Sequence, residues 1–580
     1  LNGCVKNPQL WSPEFPTLYT LVTELSVNGQ APYQVYEGKV GIRTFRFDGD
    51  EGFLLNGRSM KLKGVCVHHD GGCLGAAMTA EVWERRLLSL KEMGCNAIRT
   101  SHNPHMPELY DLCDRLGFLM MGEAFDEWEN AKNKWSTGHN VYPPRHQGYF
   151  EDFPQWHERD LADMILRDRN HPSVILWSIG NEIDYPNDPY CHPLFSEMTG
   201  NNDANKPAAE RQYNPDKPNM ERLAPIAAHL AEIVRRYDTT RPVTLAAAFP
   251  ELSSRLHYFD ALDVVGYNYK EHLYEEDHRR FPSLPFLGSE NGHGLKEWKA
   301  VTENDYISGQ FLWTGIDYLG EAHGWPIHGS SAGLLTLAGF PKNRYYRRQS
   351  FSLGAPLLRL ATAPYTRDLT EHLHASDCWN YEDGEQILVR CYTNLPSAEL
   401  FVNGRSMGRK EGLNEEGSMD WIVPFEAGEL RVEGYPESED AEPVTFLLNT
   451  VGEPERLLLN RWASPEWIPG GLKTLPDDAA SQAADSMTGY VEQIEISLAD
   501  HDGNAAVHRD VPVTVSVSGP GVLLGLESGN LADNTPYSEP VRSTMDGRLI
   551  AYVRRTGSGS VLVTVHAEGC EEASIRLTED

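Results

Sequence analysis

Between Asp48 and Tyr346, eight short apolar runs alternate with segments of helical period, and no other feature constrains the chain as tightly. The runs are Met60–His68, Ala97–His102, Leu119–Ala124, Val174–Glu182, Pro242–Phe249, Asp263–Tyr269, Pro285–Asn291 and Gln310–Tyr318. Short apolar strands separated by helices are the pattern of parallel βα units. The stretches Thr79–Met93, Met106–Leu116, Trp156–Arg167 and Met220–Tyr237 are expected to be helices. In the first, Thr79 takes the N-cap position, and Val82, Trp83, Leu87, Leu90 and Met93 recur near the helical period. Eight such units over about 300 residues predict a (β/α)8 TIM barrel, whose usual size is about 250 residues plus insertions. One insertion, Asp184–Pro218, is rich in Asn, Pro and Asp and follows the fourth strand.

The 580 residues exceed what one barrel needs. Before it, Thr17–Leu25 and Gly41–Phe47 read as strands, about half of an immunoglobulin-like sandwich. After about Ala355 the helices stop, and alternating strands separated by Asn-Gly, Asp-Gly and Gly-Ser turns take over, as in Glu399–Arg405 and Val511–Val517. The expected partition is a partial sandwich over 1–47, the barrel over 48–350, and immunoglobulin-like sandwiches over 351–452 and 453–580. The polar stretch Asp477–Met487 is expected to be a loop of the last one.

Fifty-one basic against 84 acidic residues give a net charge of −33, which disfavours a nucleic-acid partner by repulsion. No run reaches the roughly 20 apolar residues of a membrane helix. The nine cysteines, Cys4 to Cys570, are odd in number, scattered and without CxxC spacing. They read as free thiols in a reducing compartment, Cys66 and Cys95 as core, and cytoplasmic location is the expectation. The first residue is Leu1, and an upstream domain of the same protein is expected to be missing.

In a (β/α)8 barrel, reactive groups lie at the C-terminal strand ends. Those ends read His68-His69-Asp70, Ser101-His102-Asn103, Glu123-Ala-Phe-Asp126-Glu127-Trp128, Gly180-Asn181-Glu182, Tyr267-Asn268-Tyr269, Ser289-Glu290-Asn291, and Trp313, Asp317 and Tyr318. Such a rim of carboxylates, imidazoles, amides and aromatics suits a sugar, whose hydroxyls need fixed polar partners and whose CH face needs an aromatic platform. Glu182 and Glu290 both end strongly apolar runs and lie 108 residues apart, three units of 36. That places them on strands four and seven, nearly across the barrel mouth. Two converging carboxyls are what glycoside hydrolysis needs, with pKa values pushed apart by their surroundings. On spacing alone, structural carboxylates bonded to barrel hydroxyls and amides remain an alternative.

Ser178-Ile-Gly-Asn-Glu182, Ser101-His-Asn-Pro104, Lys63-Gly-Val-Cys-Val-His68 and Gly309-Gln-Phe-Leu-Trp-Thr-Gly-Ile-Asp-Tyr318 resemble the signatures of glycoside hydrolase family 2. Leu10-Trp-Ser-Pro-Glu14 resembles that family's immunoglobulin-like second domain, and Glu399–Gly408 a module found after the barrel in its β-galactosidase-like members. The family's N-terminal jelly-roll domain has no counterpart here. The resemblance implies Glu182 as general acid/base, Asn181 on the sugar 2-hydroxyl, Glu290 as nucleophile and Tyr269 as its hydrogen-bond neighbour. It makes His68, His102 and Trp313 contacts in subsite −1. It also implies retention of anomeric configuration, with carboxyls roughly 5–5.5 Å apart.

Other rim residues stay open. His69 and Asp70 are either rim hydrogen-bonders or substrate ligands; Asp126 is favoured as a sugar contact; Trp325 is a sugar platform or a loop anchor. Some family β-galactosidases bind magnesium through Glu-x-His after strand three; Glu127-Trp128-Glu129 lacks the His, so neither metal nor cofactor is expected. β-Glucuronidases carry Asn-x-Lys after strand eight, where this chain has Ser330-Ser-Ala-Gly333; Asn268-Tyr-Lys270 is in the wrong place. A retaining exo-β-galactosidase acting on an oligosaccharide or other glycoside is therefore expected, with homo-oligomerisation open. The alternatives are a β-glucuronidase or β-galacturonidase, with Lys342, Arg344 or Arg145 supplying the cation, and a non-catalytic carbohydrate-binding scaffold.

Overall fold

The computed structural model describes the chain except for residues 1–3, 33, 130–133, 136–139, 142–147, 185–191, 193, 195–219, 323, 367–375, 439, 465, 469–470, 474–488 and 579–580. Its centre is a closed barrel of eight parallel strands: β1 (Leu62–Val67), β2 (Ala97–Thr100), β3 (Leu119–Glu123), β4 (Val174–Asn181), β5 (Val243–Ala247), β6 (Val265–Asn268), β7 (Phe286–Asn291) and β8 (Ile307–Leu312). Closure is made by β8 on β1, with Gly309 opposite Leu62 and Leu312 opposite Val65. The helices around it are α1 (Ala80–Glu92), α2 (Pro107–Leu116), α3 (Phe153–Asp168), α4 (Leu223–Tyr237), α5 (Pro250–Ser253), α6 (Tyr274–Arg280), α7 (Leu295–Thr302) and α8 (Asn343–Ser352).

Seven expected strands coincide with observed ones to within one or two residues at most ends. The eighth does not: Gln310–Tyr318 was expected, and the strand is Ile307–Leu312. After Leu312 the ladder breaks up: Trp313 still bonds to Asn291 of β7 and Gly315 to Cys66 of β1, but Thr314 bonds to Ala332 and Asp317 to Leu335 in the loop beyond. Thr79 is the N-cap of α1, yet its hydroxyl makes no capping bond. The 184–218 insertion lies outside the described residues except for Asp184, His192 and Leu194. Asp184 is buried and accepts bonds from the Ala248 and Phe249 amides and the Ser253 hydroxyl, so the root of the insertion is tied to the turn after β5.

Ahead of the barrel, Tyr19–Leu25 and Gln34–Val40 pair as an antiparallel hairpin. Of the expected strand Gly41–Phe47 only its end is extended, within Phe45–Asp48. Residues 41–44 instead pack onto the barrel: a side chain at Gly41 would overlap Pro172, and the Arg43 guanidinium bonds to the Pro172 and Val174 carbonyls. Phe45–Asp48, Gly52–Leu55 and Arg58–Ser59 then form a small sheet. Its Phe53 and Leu55, with Trp11, join Leu62, Leu119, Ile175, Leu287 and Phe311 in one apolar cluster. The N-terminal end of the barrel is thereby plugged.

Beyond the barrel, Leu358–Pro364, Gln386–Thr393 and Met419–Pro424 form one sheet. It faces a second sheet of Arg405–Glu411, Ser397–Val402, Glu429–Tyr435 and Val444–Asn449 across a shared core. The expected run Glu399–Arg405 spans a hairpin turn, with Asn403 and Gly404 both at positive φ, the Asn-Gly chemistry of a type I′ turn. The last sandwich pairs the sheet of Arg456–Arg461, Val491–Ala499, Arg548–Arg555 and Gly521–Glu527 with that of Val541–Ser543, Pro512–Ser518, Val561–Ala567 and Ala573–Leu577. The stretch 477–487 lies outside the described residues. No helix among the described residues is long and apolar enough to cross a membrane.

Phe311 belongs to the apolar cluster that fills the barrel interior, and a side chain at Gly64 would overlap it. Phe311→Ala should cost ~3–5 kcal/mol, the range for emptying a packed aromatic site. Urea unfolding followed by tryptophan fluorescence measures it; a loss below about 1 kcal/mol would contradict this packing.

Candidate active site

The barrel strands lose regular register near their C-terminal ends, between Ser178 and Asn181 in β4, Tyr267 and Asn268 in β6, and Gly288 and Asn291 in β7. Bulges of this kind re-aim side chains at a rim. Two non-glycine residues just past these irregularities, Glu182 (φ 45°) and Tyr269 (φ 56°), adopt the left-handed conformation. That conformation costs about 1–3 kcal/mol for such residues and persists where neighbours impose it. Here the Glu182 amide bonds to the Ala246 carbonyl at 2.7 Å, and the Tyr269 amide to the Glu290 carbonyl at 2.8 Å.

Arg99 in β2 is fully buried and joins the parts of the site. Its Nη2 donates to Glu123 Oε2 at 2.7 Å and to Asn181 Oδ1 at 2.8 Å, and its Nη1 to Glu290 Oε1 at 2.9 Å. Asn268 donates to Glu182 Oε1 at 3.1 Å and to Asn181 Oδ1 at 3.3 Å, while its own carbonyl accepts from the Ser289 hydroxyl at 2.6 Å. Asn181 in turn donates to Asp126 Oδ1 at 3.1 Å. One continuous hydrogen-bond network therefore runs from Glu182 to Glu290.

The charges in this network settle one another. Burial raises Glu290 to about 7; Arg99 opposes the rise, and the Glu182 charge adds to it. Burial alone would lower His102, but its 2.6 Å contact with Glu123 outweighs this and raises it, so the ring favours the imidazolium. Glu123, also fully buried, is held below the ordinary Glu value because Arg99 and His102 overcome its desolvation. His68 goes the other way: burial, then the neighbouring His102 and His105, push it far down, and it is neutral. Tyr269 is 45% exposed as a residue, yet desolvation of its phenol and the Glu290 and Glu182 charges hold it well above the usual value. It keeps its proton and can donate.

Aromatic contacts join the rim. Trp313 stacks on His102 with centroids 5.1 Å apart and meets His68 edge-on at 5.0 Å. His68 stacks on Tyr318 at 3.7 Å, and its buried Nδ1 has no protein partner. Seven expected residues, His68, His102, Asp126, Asn181, Glu182, Glu290 and Trp313, thus share one connected site, with Tyr269 at its edge. Trp325 lies outside this cluster, 79% exposed on the loop after β8. His69 turns away, stacking on Trp83 of α1. Asp70 is a tie between loops, accepting from the Gly72 and Leu319 amides. Trp128 is core, bonded through its indole N–H to the Ile179 carbonyl, and Cys66 and Cys95 are buried. Among the described residues the one grouping with metal-ligand spacing, Asp111, Asp114 and His171, lies at the opposite end of the barrel; there Asp114 is taken up by His171 and the Ser173 amide.

Arg99 was not singled out by sequence, and Glu123 and Asn268 were only rim residues without a role. A signal for Arg99 existed: an arginine inside a short strand between Ile98 and Thr100 must find a buried carboxylate.

Because folding raises Glu290 from the ordinary 4.5 to about 7, the folded chain holds that proton more tightly than the unfolded one. The ionised carboxylate therefore destabilises the fold increasingly as pH rises from 4.5 through 7, by ~3 kcal/mol at the upper end. Glu290→Gln should raise the melting temperature above pH 7, and the gain should shrink toward pH 4.5. A pH series of thermal melts checks this; a variant less stable than the parent at pH 8 would refute the burial argument.

The model for the TIM barrel domain of glycosyl hydrolases family 2 matches residues 49–322, and a second model of glycosyl hydrolases family 2 matches residues 2–43. Residues 477–576 match the family's C-terminal domain 5, and residues 384–441 a domain of unknown function. A β-galactosidase of Bacteroides ovatus is 34% identical over 99% of this chain and 68% of its own length. A β-glucuronidase of Bacteroides fragilis is 26% identical over 70% of this chain and 56% of its own. Among solved structures, a glycosyl hydrolase family 2 member from Bacteroides cellulosilyticus superposes with a TM-score of 0.80 at 29% identity, covering 98% of this chain and 69% of that one. Barrel, site and relatives agree: the chain belongs to glycoside hydrolase family 2.

Proposed function

We propose that the chain is a retaining exo-β-glycosidase with Glu290 as nucleophile and Glu182 as general acid/base, and that its preferred glycon is β-D-galactose. The observation that carries the reading is the division of labour around Arg99. Arg99 and His102 both approach Glu290 on Oε1, so attack on the anomeric carbon falls to Oε2. Glu182 is approached instead by the neutral amide of Asn268, which suits it to exchange a proton with the leaving group. In the first step Glu290 Oε2 bonds to the anomeric carbon, the glycosidic C–O bond breaks, and Glu182 protonates the departing oxygen. In the second, Glu182 takes a proton from water, whose oxygen displaces the Glu290 ester and restores the original configuration. Asn181 has its carbonyl filled by Arg99 and Asn268 and one amide proton on Asp126, so its other amide proton serves the sugar 2-hydroxyl.

A neutral glycon is supported by the state of the nearby cations. Lys342 is bound at 2.8 Å both to Asp317 Oδ1 and to the Ser331 carbonyl, so its charge is already matched. Lys270 is paired with Glu251, and Arg145 lies outside the described residues. The β-glucuronide reading is kept by the likeness to the Bacteroides fragilis β-glucuronidase.

Initial rates on aryl β-D-galactoside, glucuronide, mannoside and glucoside test the glycon; a dominant glucuronide rate would overturn the choice of galactose. Glu290→Gln should lower kcat on the order of 10⁴-fold or more, the scale seen when a nucleophile is removed. Glu182→Gln should cost about 10²–10⁴-fold on poor leaving groups and less on activated ones. A 2-deoxy-2-fluoro glycosyl fluoride of the preferred sugar should label the Glu290 peptide, as mass spectrometry would show. Since Glu290 must be ionised to attack, kcat/KM should fall as pH drops below about 7.

A further inference from the structure

The loops after β8 and β1 are neighbours at the barrel mouth, because β8 pairs with β1. The β8 loop folds back as a short hairpin, Tyr318–Leu319 against Gly329–Ser330, and Trp325 lies between its arms. The β1 loop carries His68 and Asp70. Three ties close these two loops and the last sandwich into a ring. First, Glu527, at the end of strand Gly521–Glu527, is 1% exposed and accepts the Cys73 amide on Oε2 at 3.0 Å; its Oε1 accepts the Gly529 amide at 2.9 Å. Second, Asp70 accepts the Leu319 amide at 3.0 Å. Third, the His328 amide donates to the Leu531 carbonyl at 3.1 Å, and Asn534 donates to the Pro326 carbonyl at 3.3 Å.

Two of those three ties come from one stretch, Glu527–Asn534, and that stretch is itself held from behind. Buried Arg542 donates to the Thr535 carbonyl at 2.6 Å, pairs with Asp533 at 3.1 Å and lies over the Tyr537 ring. The fit at the first tie is close: Gly72 has φ 60°, and any side chain there would overlap Glu527 Oε2. A buried carboxylate aimed at the backbone of a loop from another domain fixes position, because losing it strands an amide donor.

We propose that Glu527–Asn534 of the terminal sandwich is a working part of the glycosidase site: it fixes the hairpin that bears Trp325 and so selects the leaving group, with Glu527 as the positioning residue. The favoured leaving groups are those with a flat or CH-rich face, an aryl ring or a further pyranose, which the exposed indole can cover. A small alkyl leaving group does not reach that platform. This rests on the reading of the rim as the mouth of a glycosidase.

The test uses the whole chain and whichever sugar it cleaves fastest, presented as a β-linked disaccharide and as the methyl glycoside. Glu527→Gln keeps the side-chain size but turns an NH2 toward one of the two backbone donors. It and Trp325→Ala should each lower kcat/KM on the disaccharide by about 10-fold or more, mainly through KM, while changing the methyl glycoside less than about 3-fold. Gly72→Ala presses the same contact from the other side, so combined with Glu527→Ala it should cost less than the product of the single losses. Hydrogen exchange supplies a readout independent of turnover: Glu527→Gln should lose amide protection in 68–75 and 318–330 while the barrel strands keep theirs. Equal losses on both leaving groups, or unchanged exchange in those loops, would overturn the proposal. Absence of turnover on every glycoside would instead overturn the enzymatic reading, and the exchange result would still decide the tie.

Discussion

A fully buried guanidinium holds this structure to its purpose. Arg99 has no route to water, so its charge must be matched inside the barrel, and Glu123 and Glu290 match it from two sides. The consequence is geometric as well as electrostatic. A planar donor set bonded at once to β3, β4 and β7 fixes how those three strand ends face one another. Glu123 then has a second task, since it also grips His102, which carries Trp313 on its face. Removing Glu123 leaves part of the Arg99 charge unmatched and frees His102 beneath Trp313, so stability and the geometry of the rim meet in the same few atoms.

The site is asymmetric around its two acids. Glu290 is surrounded by cations yet lies deep enough that burial dominates, whereas Glu182 stands on a strained backbone against a neutral amide. That contrast follows from the strands that carry them: β7 delivers its carboxylate before the strand ends, and β4 delivers its one just beyond. A shift of two positions relative to the strand end changes what each carboxyl meets.

Much of this was legible in the sequence, and the limits have physical reasons. Strand ends filter the barrel's many acids and histidines, because only there can side chains reach a ligand; Glu182 and Glu290 stood out on that basis, and the family resemblance added His68 and His102. The eighth strand was misplaced because Trp313 to Tyr318 is apolar enough to read as strand, although Thr314, Asp317 and Tyr318 pair with Ala332, Leu335 and Ser330 of the following loop. Arg99 escaped because one charged residue in an apolar run carries no period. Asp70 and Trp128, side by side with true rim groups in the sequence, serve loops and core instead, a distinction that depends on which donors the folded chain brings near. The role of Glu527 was beyond reach, since its partner is 454 positions away.

That separation bears on how the enzyme comes into being. All eight barrel strands have been made by Leu312, and chains lengthen at about 5–20 residues per second. The stretch that clasps the β1 loop leaves the ribosome tens of seconds after the loop itself, 454 positions later. A nascent chain thus contains Glu182 and Glu290 before the stretch that ties down one side of the mouth exists. The tie between Glu527 and the β1 loop is therefore a late contact, available only after the barrel residues it braces have been synthesised.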